Sequence, residues 1–256
     1  MILQTISPSS QLAPYIKEYW WLENNITTHT ELVYPTGEVQ ILFHYGTPFR
    51  KPTPTGTTAS QPQMAVCGQN LLPGEVISTH HSGVIGVVFR SHGAHPFLHL
   101  PVDQLTNLEV AVADIYKDWK NYENQFVDCR QTIDRIRLIE KFLLKKLMIK
   151  NAVHFNIIHS SIIALKQSCG QIPVRQLAKN YYVSERNYTR LFKKHVGLTP
   201  KKTADIMRFN HAVSLLNQKK SATMVSYMSG YYDQAHFIKS FKQLMGMTPK
   251  AYCKLL

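Results

Sequence analysis

The sequence predicts an α+β protein, with a β-rich N-terminal domain, a helical bridge, and an all-α C-terminal domain in which two helix-turn-helix units are joined by a long helix. Three observations carry this reading. β-branched and aromatic residues cluster between Gly and Pro in the first half. A three-and-four-residue apolar spacing begins near the middle. The stretch VSERNYTRLFKKHVGLTPKKT, residues 183–203, returns as YDQAHFIKSFKQLMGMTPKAY, residues 232–252, with Phe192 and Phe241, Gly197 and Gly246, and Pro200 and Pro249 each 49 apart. The boundaries fall at 1–120 for the β-rich domain, 121–152 for the bridge and 153–256 for the helical domain.

In the first domain, Glu38–Gly46 (EVQILFHYG) and Val76–Ser91 (VISTHHSGVIGVVFRS) read as strands, and residues 47–63, TPFRKPTPTGTTASQPQ, as a long polar loop. From about Pro101 the texture becomes helical. In QTIDRIRLIEKFLLKKLMIK, residues 131–150, Ile133, Ile136, Ile139, Leu143 and Leu147 recur at helical steps, and Leu138, Phe142, Leu144 and Met148 widen the apolar face. So wide a face suits burial within one domain or contact with a second copy of the chain.

Start and stop signals divide the last third. A helix near His154–Ser168 ends at Gly170, and Pro173 opens a short helix, Val174–Asn180. Ser184 can cap the next helix, which runs to about His195 and breaks at Gly197. Thr199-Pro200 opens a long helix to about Asn217. Ser221 caps a short helix to Ser229, Gly230 breaks it, Asp233 caps another to about Leu244, and Thr248-Pro249 begins the last. The order short helix, turn, capped helix thus occurs twice.

Charge separates the two parts. Of 29 Lys and Arg against 16 acids, residues 171–256 hold 15 basic residues and three acids, Glu185, Asp205 and Asp233. A near-neutral domain joined to a compact basic one points to a polyanionic partner, most simply nucleic acid. No apolar run reaches the length of a membrane span, and MILQTISPSSQ lacks the basic start and apolar stretch of a signal peptide, so a cytoplasmic address and no membrane partner are expected. Cys67, Cys129, Cys169 and Cys253 are scattered without a C-x-x-C pair and read as free thiols.

Within each repeated unit, the small residues Ala178 and Ser226 let the first helix approach the second. Tyr188, Leu191 and Phe192, then Phe237 and Phe241, supply the inner face of the second helix. Arg186, Asn187, Thr189 and Arg190 are left outward in the first copy, and Gln234, Ala235, His236 and Lys239 in the second, with Lys193, Lys194 and Lys242 adding charge. These types suit double-stranded DNA: Arg bonds guanine O6/N7 bidentately, Gln and Asn bond adenine, and Thr or Ala touches a thymine methyl. A joining helix over Pro200–Asn217 would be ~27 Å long at ~1.5 Å per residue, near the ~34 Å repeat of the major groove on one side of the duplex.

LAKNYYVSERNYTRLFKKHVGLTPKK, RFNHAVSLL and VSYMSGYYDQAHFIKSFKQLMGMTPKAY, over about residues 154–256, resemble the DNA-binding domain of the AraC/XylS family of bacterial transcription regulators. The G-Y-x-D-Q-x-H-F segment (Gly230, Tyr231, Asp233, Gln234, His236, Phe237) and the F-K-x-x-x-G-x-T-P segment (Phe241, Lys242, Gly246, Thr248, Pro249) carry most of the resemblance. It implies base reading by Arg186, Thr189 and Arg190 in the first unit and by Gln234, Ala235, His236 and Lys239 in the second. The first unit is expected to specify and the second mainly to anchor. Tyr182 stands where the family often has Gly at the first turn. The resemblance also implies an N-terminal domain that senses a small molecule or mediates homodimerisation, and contact with RNA polymerase if the protein is an activator.

LAPYIKEYWWLEN, YPTGEVQILFHYG and GVVFRSHGAHPFLHLPVDQL resemble the β-rich N-terminal domains of a subgroup of these regulators whose ligands are mostly unassigned. Trp20, Trp21, Tyr34, Phe43, Tyr45 and Phe89 are candidates to line an effector pocket, or to pack as core at alternating strand positions. His80-His81 and His92-x-x-His95-x-x-x-His99 raise the alternative of a metal-responsive sensor, but no acid lies between them to complete a ligand set, and neither metal nor other cofactor is expected. No nucleophile elbow, phosphate loop or paired-carboxylate motif is present, so an enzyme is not expected. A non-specific, nucleoid-type DNA binder relying on lysines alone is the other alternative.

Overall fold

The computed structural model describes residues 2–25, 28–53 and 55–256. Among the described residues the N-terminal domain contains ten strands, β1 (Ile2–Ile6), β2 (Ile16–Asn24), β3 (His29–Val33), β4 (Gln40–His44), β5 (Arg50–Pro52), β6 (Thr58–Ser60), β7 (Met64–Cys67), β8 (Gly74–Ser78), β9 (Ser82–Phe89) and β10 (Glu109–Ala111). They form two antiparallel sheets, ordered β1-β2-β9-β4-β7-β10 and β3-β8-β5-β6.

Residue alternation sets what each face meets. On β4, Ile41 and Phe43 enter the main core, whereas Leu42 joins Leu22, Phe49 and Val84 in a smaller one. β9 is buried along its whole length because both of its faces are covered. A bulge between Ile16 and Glu18 shifts the β2 register, so Ile16 and Tyr19, three apart, both reach the main core. Gly86 answers a close approach: a Cβ there would stand 2.1 Å from the Trp20 ring, which lies across the strand.

Helices cover the main-core face. α1 (His95–Leu98) precedes a 3-10 turn at Val102–Leu105, and α2 (Val112–Ile115), α3 (Lys120–Asp128) and α4 (Thr132–Lys146) follow. Trp119 and Phe126 pack there against Phe43, and Phe142 against Trp119. The apolar spacing predicts a bridge helix through residue 150, but the helix ends at Lys146. The Met148 amide donates instead to the Pro96 carbonyl at 2.9 Å, a tertiary bond no local pattern encodes. The polar loop expected at 47–63 likewise contains the β5–β6 hairpin, because β5 also pairs with β8 and Lys51 forms an ion pair with Glu109.

The rest is helical: α5 (Ala152–Gln167), α6 (Val174–Asn180), α7 (Glu185–Val196), α8 (Pro200–Asn217), α9 (Ala222–Met228), α10 (Gln234–Met245) and α11 (Pro249–Tyr252). Two cores flank α8. Ala204 and Met207 belong with α5, α6 and α7, while Ile206, Phe209, Val213 and Leu216 belong with α9 and α10. Among the described residues no helix is long and apolar enough to cross a membrane.

Candidate nucleic-acid interface

Each unit is closed by the same bond at its turn: the Val183 amide donates to the Ala178 carbonyl at 3.3 Å, and the Tyr231 amide to the Ser226 carbonyl at 3.1 Å. Ala178 and Ser226 are buried, as close helix approach requires. Ser226 Oγ also donates to the Asp233 carbonyl at 3.1 Å, tying α9 to the start of α10. The second helices are capped by the residues expected, since Ser184 accepts the Asn187 amide and Asp233 the His236 amide at 2.7 Å. Both end at a left-handed glycine, Gly197 and Gly246.

The two copies differ at the turn. α9 begins 48 residues after α6, and α10 begins 49 after α7, so the second turn is one residue longer. The left-handed residue is Tyr182 (φ 54°) in the first and Gly230 (φ 68°) in the second. Tyr182 therefore adopts the backbone conformation that glycine accepts without strain, with its side chain 98% exposed.

On α7, Tyr188 and Phe192 are fully buried and Leu191 half-buried, while Arg186, Asn187 and Arg190 are exposed and Thr189 half-buried. Burial holds the Tyr188 hydroxyl's pKa up at about 12. On α10, Phe237 and Phe241 are buried, and Gln234, Ala235, His236, Lys239 and Lys242 are exposed. α8 is 18 residues long, starting at Pro200 behind its Thr199 cap and ending at Asn217 as the sequence predicts.

The end of α7 faces the N-terminal domain, a contact with no local signature in the sequence. Lys193 pairs with Asp103 at 3.4 Å, and Thr106 donates to the Gly197 carbonyl at 3.0 Å. The His195 ring stacks on His95 with centroids 3.9 Å apart. Burial, reinforced by His95, His154 and Lys194, lowers the His195 pKa to about 3. Lys194 remains exposed. Arg208 is occupied within the domain, bonding the Gly170 carbonyl at 3.0 Å and lying 5.7 Å from the Tyr231 ring centroid.

The six aromatic candidates for an effector pocket divide among three cores. Phe43, Phe89 and Trp21 join the main core, whereas Trp20, on the opposite face of β2, packs on the smaller core and donates to Gln40 at 3.2 Å. Tyr45 donates to Glu23 at 2.8 Å beneath the Arg135 guanidinium. Tyr34, just after β3, packs on the second helical core instead and meets Phe209 of α8 edge-on, centroids 5.7 Å apart. The histidines also separate. His80 and His81 adjoin at a hairpin turn, His92 bonds His159 of α5 at 2.8 Å, and His95 meets His195. Among the described residues no group of three His, Cys, Asp or Glu stands together as a metal site would need.

A family model described as a domain of unknown function (DUF6597) matches residues 4–111, and one described as a helix-turn-helix domain matches residues 177–254. An uncharacterised HTH-type transcriptional regulator of Haemophilus influenzae is 30% identical over 99 residues, 38% of this chain and 33% of its own length. The probable transcriptional regulator LumQ of Photobacterium leiognathi is 28% identical over 83 residues, 32% of this chain and 34% of its own. The HTH-type transcriptional regulator GlxA of Rhizobium meliloti is 38% identical over 68 residues, 26% of this chain and 21% of its own. The chain thus spans about a third or less of the curated relatives it matches. Among solved structures, ToxT from Vibrio cholerae aligns at 10% identity over 92% of this chain and 98% of its own, with a TM-score of 0.47. The DNA-binding domain of AdpA, solved with a target DNA, aligns at 25% identity over 38% of this chain and 90% of its own, with a TM-score of 0.36.

Proposed function

We propose that this chain, whose C-terminal part matches a helix-turn-helix domain, is an AraC-type regulator that binds double-stranded DNA sequence-specifically and regulates transcription in the cytoplasm. The observation that carries the reading is the pair of capped helices, α7 and α10, whose inner faces are buried while Arg186, Asn187, Arg190, Gln234, His236 and Lys239 stand exposed at the ends of an 18-residue spacer. A rigid spacer of that length, ~27 Å at ~1.5 Å per residue, supports entry of both helices into successive major-groove faces. Only the first half of α7 is free of the N-terminal domain, which fits base reading by a recognition helix's N-terminal residues, here Arg186, Thr189 and Arg190. Lys194 and Lys242 act on phosphates. Lys193, paired with Asp103, contributes less.

Residues 1–120 serve as a sensor or dimerisation domain, 121–152 as a bridge, and the exposed Ile133, Leu144 and Met148 of the bridge are where a second copy would pack. Selection of bound duplexes from a random pool tests the main reading. An enriched motif is expected, with Arg190→Ala relaxing discrimination at one or two positions at a cost of ~1–3 kcal/mol, whereas Lys194→Ala weakens all sequences alike. A pool with no enriched motif, and affinity set by salt alone, would establish the nucleoid-type binder instead.

A further inference from the structure

The chain's thirteen tyrosines are unevenly placed. Ten are buried or half-buried, and the three that stand exposed, Tyr182 (98%), Tyr227 (84%) and Tyr232 (92%), all lie in the helix-turn-helix units. None of these three side chains makes a hydrogen bond or ring contact among the described residues. Tyr227 is on α9, whereas Tyr182 and Tyr232 are in the turns, just ahead of the Ser184 and Asp233 caps.

At each of these positions the two copies differ. The turn bonds make Tyr231 the counterpart of Val183, and the caps make Asp233 that of Ser184, so Tyr232 is the residue inserted into the second turn. Tyr182 holds a left-handed backbone where its counterpart is Gly230. Tyr227 replaces a cation, since it holds on α9 the place that Lys179, 48 residues earlier, holds on α6. From Ser221 to Ile238 the second unit has no Lys or Arg, and its one carboxylate, Asp233, takes the His236 amide. The matching stretch of the first unit carries Arg175, Lys179 and Arg186, all exposed. The leading helix and turn of the unit expected to anchor thus offer phosphates no Lys or Arg.

We propose that Tyr227 and Tyr232 anchor the second unit by donating their hydroxyls to phosphate oxygens of the duplex, and that Tyr182 makes the same contact in the first; this rests on the DNA-binding reading above. The first helix of such a unit crosses the sugar-phosphate backbone and the start of the second enters the groove, so residues on α9 and in the turns before α7 and α10 are the ones that meet phosphates. Tyrosine is among the side chains that make such contacts, which fix register without reading sequence. Its ring offers apolar area to a deoxyribose, and its hydroxyl donates without bringing a charge. A neutral donor displaces no counterions, so this part of the affinity is independent of salt, unlike the part that Lys194 contributes.

Fluorescence-anisotropy titration of the full chain against labelled duplexes, over a series of salt concentrations and well below the melting transition, tests the contact. The double variant Tyr227→Phe with Tyr232→Phe removes only the two hydroxyls and should lose about tenfold in affinity, equally for the selected motif and for unrelated duplexes. Its slope of log affinity against log salt should equal the parent's, whereas Lys194→Ala lowers that slope by about 1. Tyr182→Phe should lose about threefold, again with the slope unchanged. Unchanged affinity of the double variant, a slope that falls as it does for Lys194→Ala, or a loss confined to the selected motif would each overturn the proposal. An enriched motif with an unaffected double variant removes the tyrosines and leaves the regulatory reading. A pool with no motif but the same uniform loss removes sequence-specific reading and leaves the tyrosine contacts, and a chain that binds no duplex overturns both.

Discussion

Tyr182 and Gly230 occupy equivalent places in the two units and share a left-handed backbone, yet only one of them is suited to it. An L side chain there costs about 1–2 kcal/mol of backbone strain, and the Tyr182 ring, being 98% exposed, recovers nothing through packing. Tyr182→Gly should therefore leave the fold intact and raise the unfolding free energy by up to about 1 kcal/mol, the gain being trimmed by the entropy glycine adds to the unfolded chain. Gly230→Ala should act the other way. Its Cβ would stand 2.4 Å from Gln171 Cδ as well as straining the turn, so a loss of about 1–2 kcal/mol is expected in urea denaturation. A loss on Tyr182→Gly would show that this residue contributes something its exposure does not reveal. The sequence marked Tyr182 as a departure; that it nonetheless takes the glycine conformation could be learned only from the backbone.

At the scale of the element, α7, α8, α10 and α11 are each set by a local device, the side chains of Ser184, Thr199, Asp233 and Thr248 accepting amides three residues on. Ser184→Ala and Asp233→Ala are each expected to cost about 1 kcal/mol, and to lower DNA affinity further than the loss of folded protein explains, because they loosen the end of the helix that carries Arg186 or Gln234. Titration of DNA at a temperature well below the melting transition separates the two effects. These helices were legible because caps, Pro at the first turn and Gly after the last act within four or five residues. The bridge helix stops four residues short of its apolar pattern for the opposite reason. LMIK continues the apolar pattern, but Met148 is diverted by Pro96, some fifty positions away. The β5–β6 hairpin escaped because its support, β8 and Glu109, is also distant.

Across the whole molecule, the N-terminal domain grips both helix-turn-helix units, the first through Asp103, Thr106 and His95, the second through Tyr34 on Phe209 and the Thr36 carbonyl on Asn210 at 3.0 Å. Tyr34→Ala should loosen the second unit, with earlier melting and greater hydrogen exchange in α8–α10 than in α5–α7. Acid should loosen the whole junction. Burial lowers the pKa of His92 to about 3 and of His95 to about 4, as it does for His195. The unfolded chain therefore binds more protons than the folded one below about pH 6.5, and the stabilisation present above that pH is lost as pH falls toward 4. Urea denaturation from pH 7 to pH 4.5 should show this decline, and His195→Phe should make it shallower; an unchanged slope would remove His195 from the account. The sequence by itself determined the double unit, its caps, its basic character and the outward residues of α7 and α10, because periodicity, caps and charge are written locally. Only the tertiary structure decided that the six candidate pocket aromatics divide among three cores, that Lys193 turns to Asp103, and that His95, His154 and His195, far apart in the chain, line one cavity. Those outcomes depend on which faces pack across the domain junction, and burial between distant segments leaves no periodic trace in either.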